Sequence, residues 1–133
     1  MESHYSDSAK RRALHTLISI EEAIQQLIEW NENVNSTDDF ACSPTGMQLL
    51  AANAMLITAI GEGINTINSK LPSFLDSYFP EIQWHAIKGM RNRIVHGYFS
   101  LDAGIVFDVI KNDIPALQNV IKKAITIINE NNV

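Results

Sequence analysis

The chain has 133 residues, 46% of them hydrophobic, which is enough for one domain with a real core and too little to expect two. Fifteen acidic against ten basic residues leave a net charge of -5, so a protein that coats nucleic acid through its whole surface field is excluded and any such contact must be local. Cys42 is the single cysteine: one copy can form neither an internal disulfide nor a thiolate metal cluster, and the side chain is expected to be buried or half-buried.

No apolar run approaches the ~18 residues of a membrane span, and the N-terminal MESHYSDSAKRR has no apolar region of the signal-peptide kind, so a cytoplasmic location without membrane contact is expected. The chain shows no internal repeat, no low-complexity tract and no sustained strand-like alternation; its periodicity is helical. Ser6 or Asp7 can cap a first helix whose apolar stripe runs Leu14, Leu17, Ile18, Ile24, Leu27 and Ile28, and NENVNSTDD reads as the loop that ends it.

A second helix follows SPTG with Leu49, Ala52, Leu56, Ile60, Gly63 and Ile67 on one side, stopped by LPS and the loop before Pro80. Gly61 and Gly63 each cost about 1 kcal/mol there relative to alanine, which close helix-to-helix approach would offset. Pro80 suits the first position of a third helix, EIQWHAIKGMRNRIVH, with Gly97 as its C-terminal cap. A short helix around Ile105 to Ile110 comes next. Asp113 then caps a final helix with Leu117, Val120, Ile121, Ala124 and Ile128 on its stripe. The expected fold is all-α, a single domain over 1–133 built as an up-and-down bundle of four main helices with one additional short helix.

The third helix carries the chemistry, in RNRIVHGY. At about 100° per residue, Arg91 falls near the middle of the face formed by Trp84, Ile87, Met90, Ile94 and Val95. A guanidinium there must meet an internal carboxylate, with Glu62 the nearest candidate, or open onto a cleft where a phosphate takes that place. His85, Asn92 and His96 can form a polar row. Arg91 and His96 lie about 140° apart on an ideal helix and converge better if the helix ends at His96, or if two copies face each other across a two-fold axis.

Such a cleft suits a phosphodiester: histidine can take a proton from a ribose 2′-hydroxyl or give one to a leaving oxygen, and arginine offers a fork of donors to the phosphate. Asn92 could hold the histidine tautomer or the phosphate, and Tyr98 could donate its hydroxyl. The four histidines are scattered and no HExxH or Cys/His cluster exists, so no metal or other cofactor is expected. Residue chemistry alone leaves plainer readings open. On those readings Arg91 and His96 complement a helix dipole, Tyr98 rims the core, Lys88 and Arg93 line a solvated face, and Trp30 and Trp84 are core or interface anchors.

WHAIKGMRNRIVHGYFSLD, with Arg91, four residues, His96, one residue and Tyr98, resembles the Rx4HxY motif of HEPN-domain proteins, and most closely the HepT toxins of nucleotidyltransferase/HEPN toxin-antitoxin pairs. The IGEGIN stretch with Glu62 and the downstream IVFDVIKNDIPALQNVI extend that resemblance over nearly the whole chain. It implies the HEPN fold, a homodimer with one composite cleft, and metal-independent endoribonuclease activity on RNA. Arg91 and His96 would be catalytic, with Asn92 and Glu62 supporting. It also implies an MntA-like nucleotidyltransferase antitoxin that neutralises the toxin by adding AMP to Tyr98. The alternative is a non-catalytic HEPN module that binds a nucleotidyltransferase or a nucleotide through the same cleft.

Overall fold

A computed structural model describes residues 5–97 and 100–130, the side chains of 96 and 97 excepted. Ser6 opens helix α1 (Asp7–Trp30) by accepting the Ala9 N–H at 3.0 Å. Ala13, Leu17, Ile20, Ile24 and Leu27 form its buried row. Ile18, expected on that stripe, is 42% exposed because it sits one step around the helix from Leu17. Beyond α1 the loop contains one turn of helix, α2 (Asp38–Ala41), which buries Phe40. Asp39 ties this loop by accepting the N–H groups of Asn35 at 2.7 Å and Ser36 at 3.2 Å, and these bonds hold its carboxyl below the usual range.

Helix α3 (Pro44–Lys70) starts as SPTG indicated, with the Ser43 hydroxyl accepting the Gly46 N–H at 2.9 Å. Its buried row is Ala54, Ile57, Ile60, Gly61, Ile64 and Ile67, so the expected stripe is rotated: Leu49, Ala52, Leu56 and Gly63 lie half-buried at its edges. Packed against α1 and α2, α3 is the central helix. It is also long and apolar enough, by length and composition alone, to cross a membrane, a correction to the expectation that no such segment exists.

The single third helix is not formed. After α4 (Phe74–Tyr78), Pro80 lies in a turn, and helix begins only at Trp84. α5 (Trp84–Lys88) ends at Gly89, α6 (Met90–Ile94) follows, and β1 (Val95–Gly97) pairs antiparallel with β2 (Ser100–Leu101). Gly97 is therefore a strand residue and not a helix cap. The β-branched pair Ile94-Val95 favours extended backbone, and the Ile94 carbonyl accepts the Asp102 N–H at 2.8 Å, which pulls the chain into the hairpin. The fold is thus all-α apart from this two-stranded ribbon, with three long helices and a broken segment where a fourth was expected.

Asp102 caps α7 (Ala103–Asp108) by accepting the Ile105 N–H at 3.0 Å. A π turn, Val109–Asp113, leads into α8 (Ile114–Asn129), whose buried residues include the whole predicted stripe. Asp113 stands at the N-cap position of α8, but its side chain makes no capping bond there. Cys42 is exposed, not buried, since α2 turns its Phe40 inward instead.

A paired amide contact crosses the core. Asn31 and Asn53, 1% and 0% exposed, exchange two amide hydrogen bonds of 2.8 Å each between the end of α1 and α3, and Asn31 also donates to the Leu27 carbonyl at 2.7 Å. Removing one member orphans the other inside the core. Asn53→Leu should lower the unfolding free energy by about 1–3 kcal/mol, and the Asn31→Leu/Asn53→Leu double variant should lose less than the sum of the singles. Additive losses in urea melts would show that the amides do not act as a pair.

Candidate active site

Gly61 positions the motif. A Cβ there would stand 3.3 Å from the Ile87 carbonyl oxygen and 3.7 Å from that of Lys88, so α5 lies backbone-to-backbone on α3. Trp84 fixes the other end of α5: it is buried, and its indole N–H donates to the Phe79 carbonyl at 3.0 Å. Past Gly89, Met90 and Ile94 bury one face of α6, spaced four residues apart.

That anchoring decides where the motif's polar residues go. Arg91, Asn92 and Arg93 are all exposed, as is Glu62. Arg91 is consequently not on a core-facing surface, and no ion pair joins it to Glu62, which corrects the expectation of an internal partner. The physical reason is the break at Gly89, which re-phases the helix so that Met90 and Ile94, and not Arg91, take the inward positions. His85, Lys88 and Asn92 are exposed as well.

His96 lies two residues past the end of α6, in β1, where the pairing of Val95 with Leu101 and of Gly97 with Ser100 leaves an irregularity between them. Its side chain and Tyr98 lie outside the described residues. A shallow groove of about 350 Å³ runs along α3 beside this strand, lined by Met55, Ala59, Glu62 and Val95. The structure thus brings Glu62 to the neighbour of His96, whereas Arg91 does not line the groove. Met55 is 73% exposed at its edge.

A second cleft was not anticipated. About 460 Å³ in volume, it is lined by Arg93, Asp108 and Asp113 among others. Burial pushes the Asp113 carboxyl above its ordinary value, Arg93 pulls it down and Asp108 pushes it up. In the sequence Asp113 reads only as a helix start and Arg93 as part of a solvated face. Among the described residues no group of three His, Cys, Asp or Glu side chains is placed to hold a metal ion.

The chain belongs to the family described as ribonuclease HepT-like, whose model matches residues 20–124. It is 30% identical over 114 residues to "Probable ribonuclease HepT" of Thermococcus cleftensis, covering 86% of this chain and 96% of the relative. A "Putative RNase" of Methanocaldococcus jannaschii is 26% identical over 110 residues, 83% of this chain and 94% of that one. Another protein of the same organism, named "Gamma-glutamylcyclotransferase and putative RNase", is 32% identical over 117 residues, which is 88% of this chain and 47% of the relative, so this chain spans about half of it. No solved structure matches the chain.

The raised Asp113 carboxyl gives a stability prediction. The folded state holds the Asp113 proton more tightly than the unfolded chain, so this group's contribution to stability falls as pH rises from the usual carboxylate range through its raised value. Asp113→Asn should therefore be more stable than the wild type at neutral pH, and the advantage should vanish in acid. A melting-temperature difference that stays constant with pH would show that the carboxyl is not perturbed.

Proposed function

We propose that the protein is a metal-independent endoribonuclease acting as the toxin of a toxin-antitoxin pair in the cytoplasm. The observation that carries this reading is the complete Rx4HxY motif, Arg91, His96 and Tyr98, in a chain of the ribonuclease HepT-like family. Exposure of Arg91 and Asn92 supports it, because a polyanion can reach them. Met55, exposed beside Glu62 and Val95, supports a homodimer in which a second copy covers the groove and two motifs share one cleft.

In that cleft one His96 takes the proton of a ribose 2′-hydroxyl, whose oxygen attacks the adjacent phosphorus. The P–O5′ bond breaks as the second His96, protonated, gives its proton to the departing oxygen, leaving a 2′,3′-cyclic phosphate and a 5′-hydroxyl. Arg91 holds the phosphate oxygens as charge builds on them, Asn92 orients the imidazole or the phosphate, and Glu62 acts as a supporting residue at the groove. A nucleotidyltransferase antitoxin silences the toxin by transferring AMP from ATP to the Tyr98 hydroxyl, with pyrophosphate leaving; the added bulk and negative charge obstruct phosphate entry.

With EDTA present, purified wild type should cut total cellular RNA and His96→Ala should be slower by about 100-fold or more, with its melting temperature and dimer intact. Cleavage by the variant at the wild-type rate would remove His96 from the chemistry. No cleavage by an unmodified wild type would favour the non-catalytic module. Incubation with the antitoxin and ATP should add the mass of AMP, and Tyr98→Phe should abolish that gain; a gain that survives would place the modification on another residue.

A further inference from the structure

The second cleft lies between the turn before α5, the motif helix α6 and the π turn. Its floor is apolar: Ile87 and Leu117 are 8% and 0% exposed. Its rim carries charge in Arg93, Asp108 and Asp113. A recess of about 460 Å³ with a mixed lining of charged and apolar side chains has room for a small polar molecule.

Two features show that the rim is not a set of satisfied surface ions. Asp113 is half-buried where the π turn runs into α8 with helical backbone at φ -84° and ψ -39°, so its carboxylate is not drawn into a helix cap. Arg93 stands near enough to bias the Asp113 carboxyl, yet neither side chain forms a hydrogen bond or ion pair among the described residues. Asp108, by contrast, is engaged by the Asn112 amide at 2.6 Å. The backbone between the two aspartates is the π turn, a rare conformation frequently found at functional sites.

We propose that this cleft binds a guanosine monophosphate unit, with the Asp113 carboxylate accepting from the base's N1–H and exocyclic amine, the base lying over Ile87, and Arg93 holding the phosphate. A carboxylate only accepts, so it selects a base edge that presents donors. Guanine alone offers two adjacent donors on its Watson–Crick edge to match both carboxylate oxygens; adenine and cytosine set one amine beside a ring acceptor, and uracil has a single N–H between two carbonyls. The guanidinium fork of Arg93 matches phosphate oxygens. Asp108 and Glu81 on the same rim repel further negative charge, so a monophosphate fits better than a di- or triphosphate.

The unit could be a free nucleotide or a guanosine within RNA, and the test separates them. Guanosine 5′-monophosphate, titrated into the purified protein, should bind at least about tenfold more tightly than AMP or CMP. Asp113→Asn should erase that preference, Arg93→Gln should weaken the nucleotide while leaving unphosphorylated guanosine unaffected, and Ala116→Trp should block all binding by filling the cleft. Asp113→Asn removes no hydrogen bond, and thermal melts verify the fold of each variant. Equal affinity for GMP and AMP, or GMP binding unchanged by Asp113→Asn, would overturn the proposal.

In the second arm, the His96→Ala protein binds an oligouridine carrying one guanosine or none. Tighter binding with guanosine, lost in Asp113→Asn, identifies an RNA residue; GMP binding without any oligonucleotide preference identifies a free nucleotide. Both readouts are binding alone, so a protein that cuts no RNA would sink the ribonuclease reading and leave this one to be decided by GMP.

Discussion

The close passage of α5 over α3 at Gly61 is the constraint on which the rest of the molecule depends. A helix interior disfavours glycine by about 1 kcal/mol, and past its first turn α3 bears two, Gly61 and Gly63, only two residues apart. Two residues turn the helix by about 200°, so the bare positions face opposite ways. Gly61 meets the α5 carbonyls, and on the other side a Cβ at Gly63 would come within 2.8 Å of Ile20 on α1. α3 is therefore held between α1 and α5, with backbone exposed on each contact, and the cost of the glycines is offset by packing that larger residues would prevent.

Everything about the motif follows from that seat. Because the end of α5 is fixed on α3, the chain changes direction at Gly89, and α6 must re-anchor with Met90 and Ile94. Three consecutive polar side chains, Arg91 to Arg93, are thereby turned to solvent, and the backbone leaves the helix before His96. Local consistency is given up in the segment that holds the Rx4HxY motif, where the helical pattern breaks at Gly89. Elsewhere the pattern is regular: α8 buries its whole stripe, and Lys111 links the π turn back to α1 by donating to the Asn31 carbonyl at 3.2 Å.

Long helices were legible because each presents several turns of apolar periodicity and a capping residue. Ser6 and Ser43 mark two starts, and Leu117 through Ile128 mark the buried face of α8. The stripes of α1 and α3 were read a step off. Their partners approach from more than one direction, so the centre of the buried face depends on where α5 and α8 lie and not on the helix itself. The segment from Pro80 to Gly97 was misread for a similar reason. Sixteen residues of helical periodicity look continuous, while the break at Gly89 and the hairpin after Ile94 come from contacts with α3 and with residues 100–102, remote from the pattern.

What the sequence by itself determined is the mostly helical class, the positions of the long helices and the Rx4HxY motif, because propensity, capping and residue spacing are local properties that survive without knowledge of neighbours. Tertiary structure alone decided that Arg91 faces outward without Glu62 as partner, that Glu62 comes beside the strand bearing His96, and that Arg93 meets Asp113 across a cleft from twenty residues away. Those outcomes depend on how helices cross, and a crossing is set by the close fit of two surfaces, which no single segment contains.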